Sequence, residues 1–345
     1  MRLEAESTFM RTTELLSAAL LALAVIFNPT YAAPAAGSAP LSKRQADIGA
    51  LAPPGATKID VREHGLYAEF YVPAHTGPLP ALIAIGGAEG GLDTVSNLAA
   101  TFVPSGYAVL ALAYFGEPGL PNTLEGVPLE YFRSAVEWLT GRAEVDPRRV
   151  AVIGWSRGAE AALLIATDEP KIHAVIAVAP SSYVWVGQNF KRTPGPAWTL
   201  GGKPIPYVAP HPPKDFRPGM PIKRLLASFL AQAQSHPDAA IPVERINGSI
   251  LLLSGDDDHL WPSAQMAKQI VARLKAAHFP HIYRALSYAG AGHVAFVGNP
   301  ALLTRPAEQL TVSPMLGGSL QANRAAWRND WPRALRFLSE SLGRK

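Results

Sequence analysis

The chain has 345 residues, 48% of them hydrophobic and 17% charged, the balance of a packed globular protein rather than a disordered or coiled-coil one. Its 31 basic and 27 acidic residues leave a net charge of +4, too weak over this length to point to a nucleic-acid partner. It has no cysteine, which excludes disulfides, thiolate metal sites, a thiol nucleophile and a lipid-anchored amino terminus.

At the amino end, Arg11 precedes an apolar run over residues 15–27, broken only by Ser17, and small residues follow around Ala32, Ala33 and Ala36. The run is shorter than the roughly 20 residues a spanning helix needs. It reads as a secretory signal peptide, residues 1–36, which sends the protein to the periplasm or the medium and leaves no stable membrane anchor once cleaved. Residues 37–57, rich in Ala, Pro, Ser and Gly, read as a flexible leader, and 58–345 as one domain.

Within that domain, residues 59–61 and 66–72 alternate apolar and polar side chains around His64-Gly65, the pattern of a β-hairpin. An uninterrupted apolar run at 79–85 predicts a strand covered on both faces, 107–113 another buried strand, and 149–153, 173–179, 249–253 and 281–287 further strands. Helices are predicted over 93–102, 129–140, 157–167, 263–276 and 331–342. This alternation predicts a mainly parallel sheet with helices on both faces. Residues 186–248 break the rhythm: they hold eleven prolines and Trp198, Tyr207, Phe216 and Phe229, with one helical stretch at 222–234. So long a segment between core strands reads as a lid-like insertion, its aromatic side chains expected to line a pocket at the carboxyl edge of the sheet.

Gly154-Trp155-Ser156-Arg157-Gly158 is a G-x-S-x-G string between a predicted strand and a predicted helix. A turn this tight needs small neighbours, and it thrusts the serine hydroxyl upward at a helix amino terminus. A serine needs a histidine to take its proton and an acid to orient that histidine, here in the chain order Ser, acid, His. Of the later histidines, His278 and His281 stand at the amino end of a predicted strand, the wrong edge. His293, in Gly290-Ala291-Gly292-His293 after that strand, is the candidate base. The acid comes from Asp256-Asp257-Asp258-His259; Asp258 is the first choice, then Asp257, then Asp256. A divalent-cation site on these carboxylates lacks the spaced ligand loop it would need. N–H donors for an oxyanion are expected from Arg157, after the nucleophile, and from Gly86-Gly87-Ala88-Glu89-Gly90-Gly91, with Gly87 preferred and Gly86 and Ala88 open. That glycine run lacks the Lys-Ser/Thr of a phosphate loop and the spacing of a dinucleotide turn.

Together with Gly90-Gly91-Leu92, Leu110-Ala111-Leu112-Ala113-Tyr114, Leu129-Glu130-Tyr131-Phe132 and Ile241-Pro242-Val243-Glu244, these strings resemble the catalytic domain shared by acyl-CoA thioesterases and bile acid-CoA:amino acid N-acyltransferases. The likeness runs over about residues 60–342. It implies an α/β-hydrolase fold and a triad of Ser156, Asp258 and His293, working with no metal or organic cofactor on a small acyl thioester or ester. The family's amino-terminal β-sandwich is not expected here. A serine nucleophile matches the thioesterases rather than the cysteine of the transferases, and an exported protein would meet little coenzyme A. Alternatives are a dienelactone-hydrolase-like or general carboxylesterase, and a non-catalytic binding protein on a hydrolase scaffold.

Overall fold

A computed structural model of the chain describes residues 55–189, 193–217, 220–296 and 312–343. The expected signal peptide and nearly all of the leader lie outside the described residues. The fold starts at Ala56, inside the expected leader, with strands β1 (Ala56–Val61) and β2 (Tyr67–Pro73) paired antiparallel as the hairpin pattern predicts. The other strands of the main sheet are β3 (Leu79–Ile85), β4 (Ala108–Ala113), β6 (Val145–Trp155), β7 (Ala174–Val178), β10 (Ser249–Gly255) and β11 (Tyr283–Tyr288). Their order is β1-β2-β4-β3-β6-β7-β10-β11. Every pairing from β4 to β11 is parallel, and β2 joins β4 antiparallel. This is the α/β-hydrolase fold.

The apolar runs are continuous because both faces are covered. Along β4, Ala108, Leu110 and Leu112 enter one core while Val109, Ala111 and Ala113 enter the other, the two-residue alternation of a pleated strand. Helices α2 (Leu129–Thr140), α3 (Arg157–Asp168) and α5 (Ser263–Ala276) pack on the first face. Helices α1 (Asp93–Phe102) and α6 (Leu320–Ser341) pack on the second. Among the described residues no helix is long and apolar enough to cross a membrane.

Two features depart from the sequence pattern. The final helix starts at Leu320, not near 331, with the Ser319 side chain capping the Ala322 N–H at 3.1 Å. Pro332 sits inside it, where Trp331-Pro332 resembles a first turn. The buried stripe Asn323, Ala326, Trp327, Asp330, Ala334, Phe337 and Leu338 carries the helix through the proline. Second, the segment between β7 and β10 has structure of its own: β8 (Trp198–Leu200) and β9 (Lys203–Pro204) join β5 (Val127–Pro128) in a small sheet, and α4 (Ile222–Ala233) follows. Trp185, Val208, Leu225, Phe229 and Leu230 form a small core there with Trp261 and Met266, against which Phe216 packs. Trp198 does not face a pocket. It is wholly buried against Tyr114 and Phe132, at ring distances of 5.6 and 6.1 Å, so it belongs to the core of the fold.

Asp330, on the buried stripe of α6, has no hydrogen-bond partner for either carboxylate oxygen. Burial pushes its pKa up to about 7, with only partial relief from Tyr288 and Arg333. A carboxyl whose folded pKa exceeds its unfolded value retains its proton in the folded state, so stability falls as pH rises from the unfolded value to about 7. Asp330→Asn should therefore raise the melting temperature by about 2–4 °C or more at pH 8. Thermal melts near pH 4, close to the unfolded value, should show most of that advantage gone; an equal gain at both pH values would place the effect elsewhere.

Candidate active site

Strand β6 ends at Trp155 and α3 begins at Arg157, so Ser156 alone makes the turn. Its backbone is at φ 58°, ψ −118°, a conformation that L-residues rarely adopt. Glycine is required on both sides by close approach. A Cβ on Gly154 would lie 2.0 Å from the Gly158 carbonyl oxygen, and one on Gly158 would lie 2.1 Å from that of Gly86. The serine N–H donates to Val178 O at 2.9 Å, and its carbonyl accepts from Ala159 N at 2.9 Å. The elbow is thereby tied to β7 and to the first turn of α3.

The structure brings Asp258 and His293 together. His293 Nδ1 lies 2.9 Å from Asp258 Oδ2 and 3.1 Å from Oδ1, and both residues are buried. A carboxylate facing Nδ1 holds the proton there and leaves the lone pair on Nε2. Buried Nε2 makes no hydrogen bond to the protein. Trp155 and Trp261 flank the imidazole, with ring centroids at 5.7 and 6.1 Å, and Trp155 Nε1 donates to His293 O at 3.1 Å. The residue beside Ser156 thus holds the histidine loop. Asp258 is itself fixed by the N–H groups of Leu260 (2.9 Å) and Trp261 (3.2 Å) and by the Ser263 hydroxyl (2.6 Å).

The neighbouring carboxylates diverge. Asp257 takes Lys223 Nζ at 3.1 Å, His259 Nε2 at 3.2 Å and the Gly318 N–H at 3.2 Å, while Asp256 accepts from Gly290 N at 2.7 Å. Burial pulls the Asp257 pKa up, but these partners outweigh it and hold the carboxyl below its ordinary value. Among the described residues no three His, Cys, Asp or Glu side chains stand together as a metal site. His281 packs edge-on against Phe279, beside the amino end of β11.

Gly87 borders Ser156: a Cβ built on it would lie 3.3 Å from Ser156 Cβ. Tyr114 fixes this loop, its hydroxyl lying 3.1 Å from Gly86 O and 2.9 Å from Gly87 O. The Gly86–Gly87 peptide is trans, so holding its carbonyl on the Tyr114 side turns its N–H the opposite way. That N–H is taken by Glu89 Oε1 at 3.0 Å. Arg157, first residue of α3, has an N–H with no intrahelical acceptor. Its side chain is buried in an ion pair with Glu160 at 3.0 Å, and its Nη2 donates to Trp185 O and Val186 O, both at 3.2 Å.

Sequence reasoning missed Tyr114, Trp155, Ser263, Glu89 and Glu160 as parts of this site. Tyr114 closes the string 110–114, and Glu160 lies four residues past the nucleophile, one helical turn on. Those positions are the only signals either residue offered. Leu129-Glu130-Tyr131-Phe132 supports the loop from behind: Tyr131 OH donates to Ala113 O at 2.6 Å and Phe132 packs on Tyr114. In Ile241-Pro242-Val243-Glu244, the glutamate pairs with Arg273 of α5.

Residues 127–344 match the family model described as "BAAT / Acyl-CoA thioester hydrolase C terminal". The chain is 31% identical to acyl-coenzyme A thioesterase 1 of Rattus norvegicus, over 85% of its own length and 67% of the relative's. It is 31% identical to mitochondrial acyl-coenzyme A thioesterase 2 of Mus musculus, over 85% and 62%. To acyl-coenzyme A amino acid N-acyltransferase 1 of Mus musculus it is 28% identical, over 84% and 66%. The chain thus spans about two thirds of the length of these relatives. Among solved structures it is similar to a protein assigned as a dienelactone hydrolase from Klebsiella pneumoniae (TM-score 0.50, 14% identity, 83% of this chain and 98% of that one). It is also similar to a puromycin-hydrolyzing peptidase of Mycobacterium tuberculosis (TM-score 0.52, 14% identity, 86% and 40%). At such identities these two carry the fold alone.

Ser156→Ala and His293→Ala should each lower kcat by about 10³-fold or more with the fold intact, whereas His281→Ala should stay near wild type. Asp258→Asn should cost far more than Asp257→Asn or Asp256→Asn. Steady-state hydrolysis with circular dichroism on each variant decides. A damaging Asp257→Asn beside a mild Asp258→Asn would reverse the choice of acid.

Proposed function

Since the chain belongs to the BAAT / acyl-CoA thioester hydrolase C-terminal family, we propose that it cleaves acyl thioesters, or closely related esters, through an acyl-enzyme on Ser156. The chain is an α/β hydrolase. Ser156 Oγ attacks the substrate carbonyl and its proton passes to His293 Nε2, while Asp258 holds the imidazole by Nδ1 and stabilises the cation that forms. The oxyanion is bound by the N–H of Arg157, at the start of α3, and by that of Gly87, in the loop after β3. Collapse expels the thiolate or alkoxide, which takes its proton from His293. Water then attacks the acyl-enzyme with His293 as base, releasing the acid and restoring Ser156.

The observation that carries this reading is His293: both carboxylate oxygens of Asp258 hold Nδ1, and Nε2 is left without a protein partner. The thioester preference rests on the relatives. A thiol of pKa about 8.5 leaves with less help from an acid than an alcohol does, so the same machinery serves both bonds and recognition must separate them. The amino-terminal pattern over residues 1–36 supports export, which favours acyl donors found outside the cytoplasm.

A panel of acyl-CoA thioesters, short acyl thioesters and nitrophenyl esters should give turnover and, in acid-quenched samples, an acyl mass on the Ser156 peptide. Preferred turnover of the thioesters supports the thioesterase reading. Nitrophenyl esters alone being cleaved would make the protein a carboxylesterase, and no turnover of any member with no adduct would leave a binding protein.

A further inference from the structure

Glu89 follows the glycines of the loop after β3, and its carboxylate turns back onto the one N–H that the proposed reaction needs from that loop. Oε1 accepts from Gly87 N at 3.0 Å. A methyl group built on Gly87 would stand 2.7 Å from Glu89 Oε2 and 3.3 Å from Ser156 Cβ, so carboxylate and nucleophile border the same small volume. Glu89 as a residue is exposed, unlike Gly86 and Gly87, which are buried. Displacing this side chain would leave the apolar core intact, whereas the Gly86 and Gly87 carbonyls are held by the Tyr114 hydroxyl.

What draws the carboxylate inward is what an oxyanion would feel. The Gly87 N–H is aimed by Tyr114 gripping the other side of its peptide. The positive end of α3 lies across Ser156. Burial of the carboxyl, the largest influence on it, raises its pKa; its own N–H, the Gly87 N–H, His293 and the Thr94 side chain favour the ionised form without reversing that rise. A carboxylate has the charge and the oxygen of a tetrahedral intermediate, and a donor poised for one binds the other.

We propose that Glu89 is a displaceable internal occupant of the oxyanion site, which an incoming carbonyl must expel before Ser156 can react. It is thereby a determinant of substrate affinity. A ligand must compete with a hydrogen bond the enzyme already makes to itself, and weak carbonyl acceptors are turned away. This rests on the reading of Ser156 as nucleophile.

The test is labelling of the full chain by a neutral alkyl fluorophosphonate. Ser156 Oγ forms the bond to phosphorus, fluoride leaves, the serine proton passes to His293, and the phosphoryl oxygen occupies the oxyanion site. Adduct mass on the Ser156 peptide is followed against time. Glu89→Ala should be labelled about tenfold faster than wild type, the size of one hydrogen bond to a charged group. Glu89→Gln, which retains an acceptor and loses the charge, should fall between. With a thioester substrate the gain should appear in KM and leave kcat little changed, and both variants should melt as wild type does. Labelling of Glu89→Ala at the wild-type rate would overturn the proposal. Slower labelling would overturn it too, making the carboxylate a helper rather than an obstacle. If wild type gives no Ser156 adduct, the nucleophile reading fails and this proposal goes with it.

Discussion

The site is organised around a contact distance, that between the backbones on either side of Ser156. Turning from β6 into α3 within one residue requires the Gly154 Cα to touch the Gly158 carbonyl, and Gly158 to rest against the carbonyls of Ile85 and Gly86. The second contact joins the nucleophile turn to the loop after β3. A side chain at Gly154 would force the turn itself apart, and one at Gly158 would push the turn off the loop after β3. The serine conformation costs about 1–3 kcal/mol. Hydrogen bonds from Ser156 N to Val178 and from Ala159 and Glu160 to Ser156 O oppose its relaxation. A parallel sheet covered on both faces supplies the rigidity: β6 lies between β3 and β7, so the turn cannot unwind without breaking ladders on both sides.

The segment between β7 and β10 is fastened to that turn by a charge pair of unusual placement. Arg157 and Glu160 are both buried, and a buried pair missing one partner costs several kcal/mol. Part of the remaining hydrogen-bonding capacity is used on the insertion, while Arg157 Nε is left without a partner. Glu160 Oε1 accepts from Trp198 Nε1 at 2.6 Å and Trp185 N at 3.2 Å, and Arg157 donates to the carbonyls of Trp185 and Val186. The side chain of the residue after Ser156 thus serves the scaffold. The seam between α4 and the acid loop is different in kind. It holds the exposed pair of Lys223 and Asp257, and such pairs contribute about 0–1 kcal/mol.

Much of this was legible in the chain because the relevant signals are local. Apolar runs marked β3, β4 and β10, and the string 154–158 fixed a turn between a strand and a helix. The choice of Asp258 over its two neighbours could be argued from position, and the structure shows why the neighbours diverge: successive side chains in a loop point apart, and each finds a different donor. What sequence could not supply were contacts between distant segments. Trp198 read as a pocket aromatic because prolines surround it, yet Tyr114, Phe132 and Glu160, remote in sequence, make it interior. Pro332 read as a helix start because the buried stripe that overrides it becomes visible only once α6 is packed on the sheet. Glu89 carried no signal, being one acidic residue in a glycine loop.

Ser156 and His293 are nearly closed to solvent, at 5% and 2% exposure. Two surface depressions lie elsewhere, one on the insertion between Tyr207, His211 and Gln232, the other beside the hairpin between Thr57, His75 and Glu144. Neither is lined by a residue of the site. The elements around Ser156 differ in what they can yield. Gly87 is backed by Tyr114, and Ser156 by the ladder of β6 with β7. Asp258 is held by three donors, and His293 by Asp258, Trp155 and the Leu316 carbonyl, to which its N–H donates at 2.7 Å. Glu89 and Lys223 are exposed residues of this surround. Low-dielectric surroundings strengthen every charge interaction of the reaction, so a site that yields only at its exposed side chains retains its field while admitting a carbonyl. Rigidity at the reacting atoms and compliance at their rim are thus consequences of the same packing.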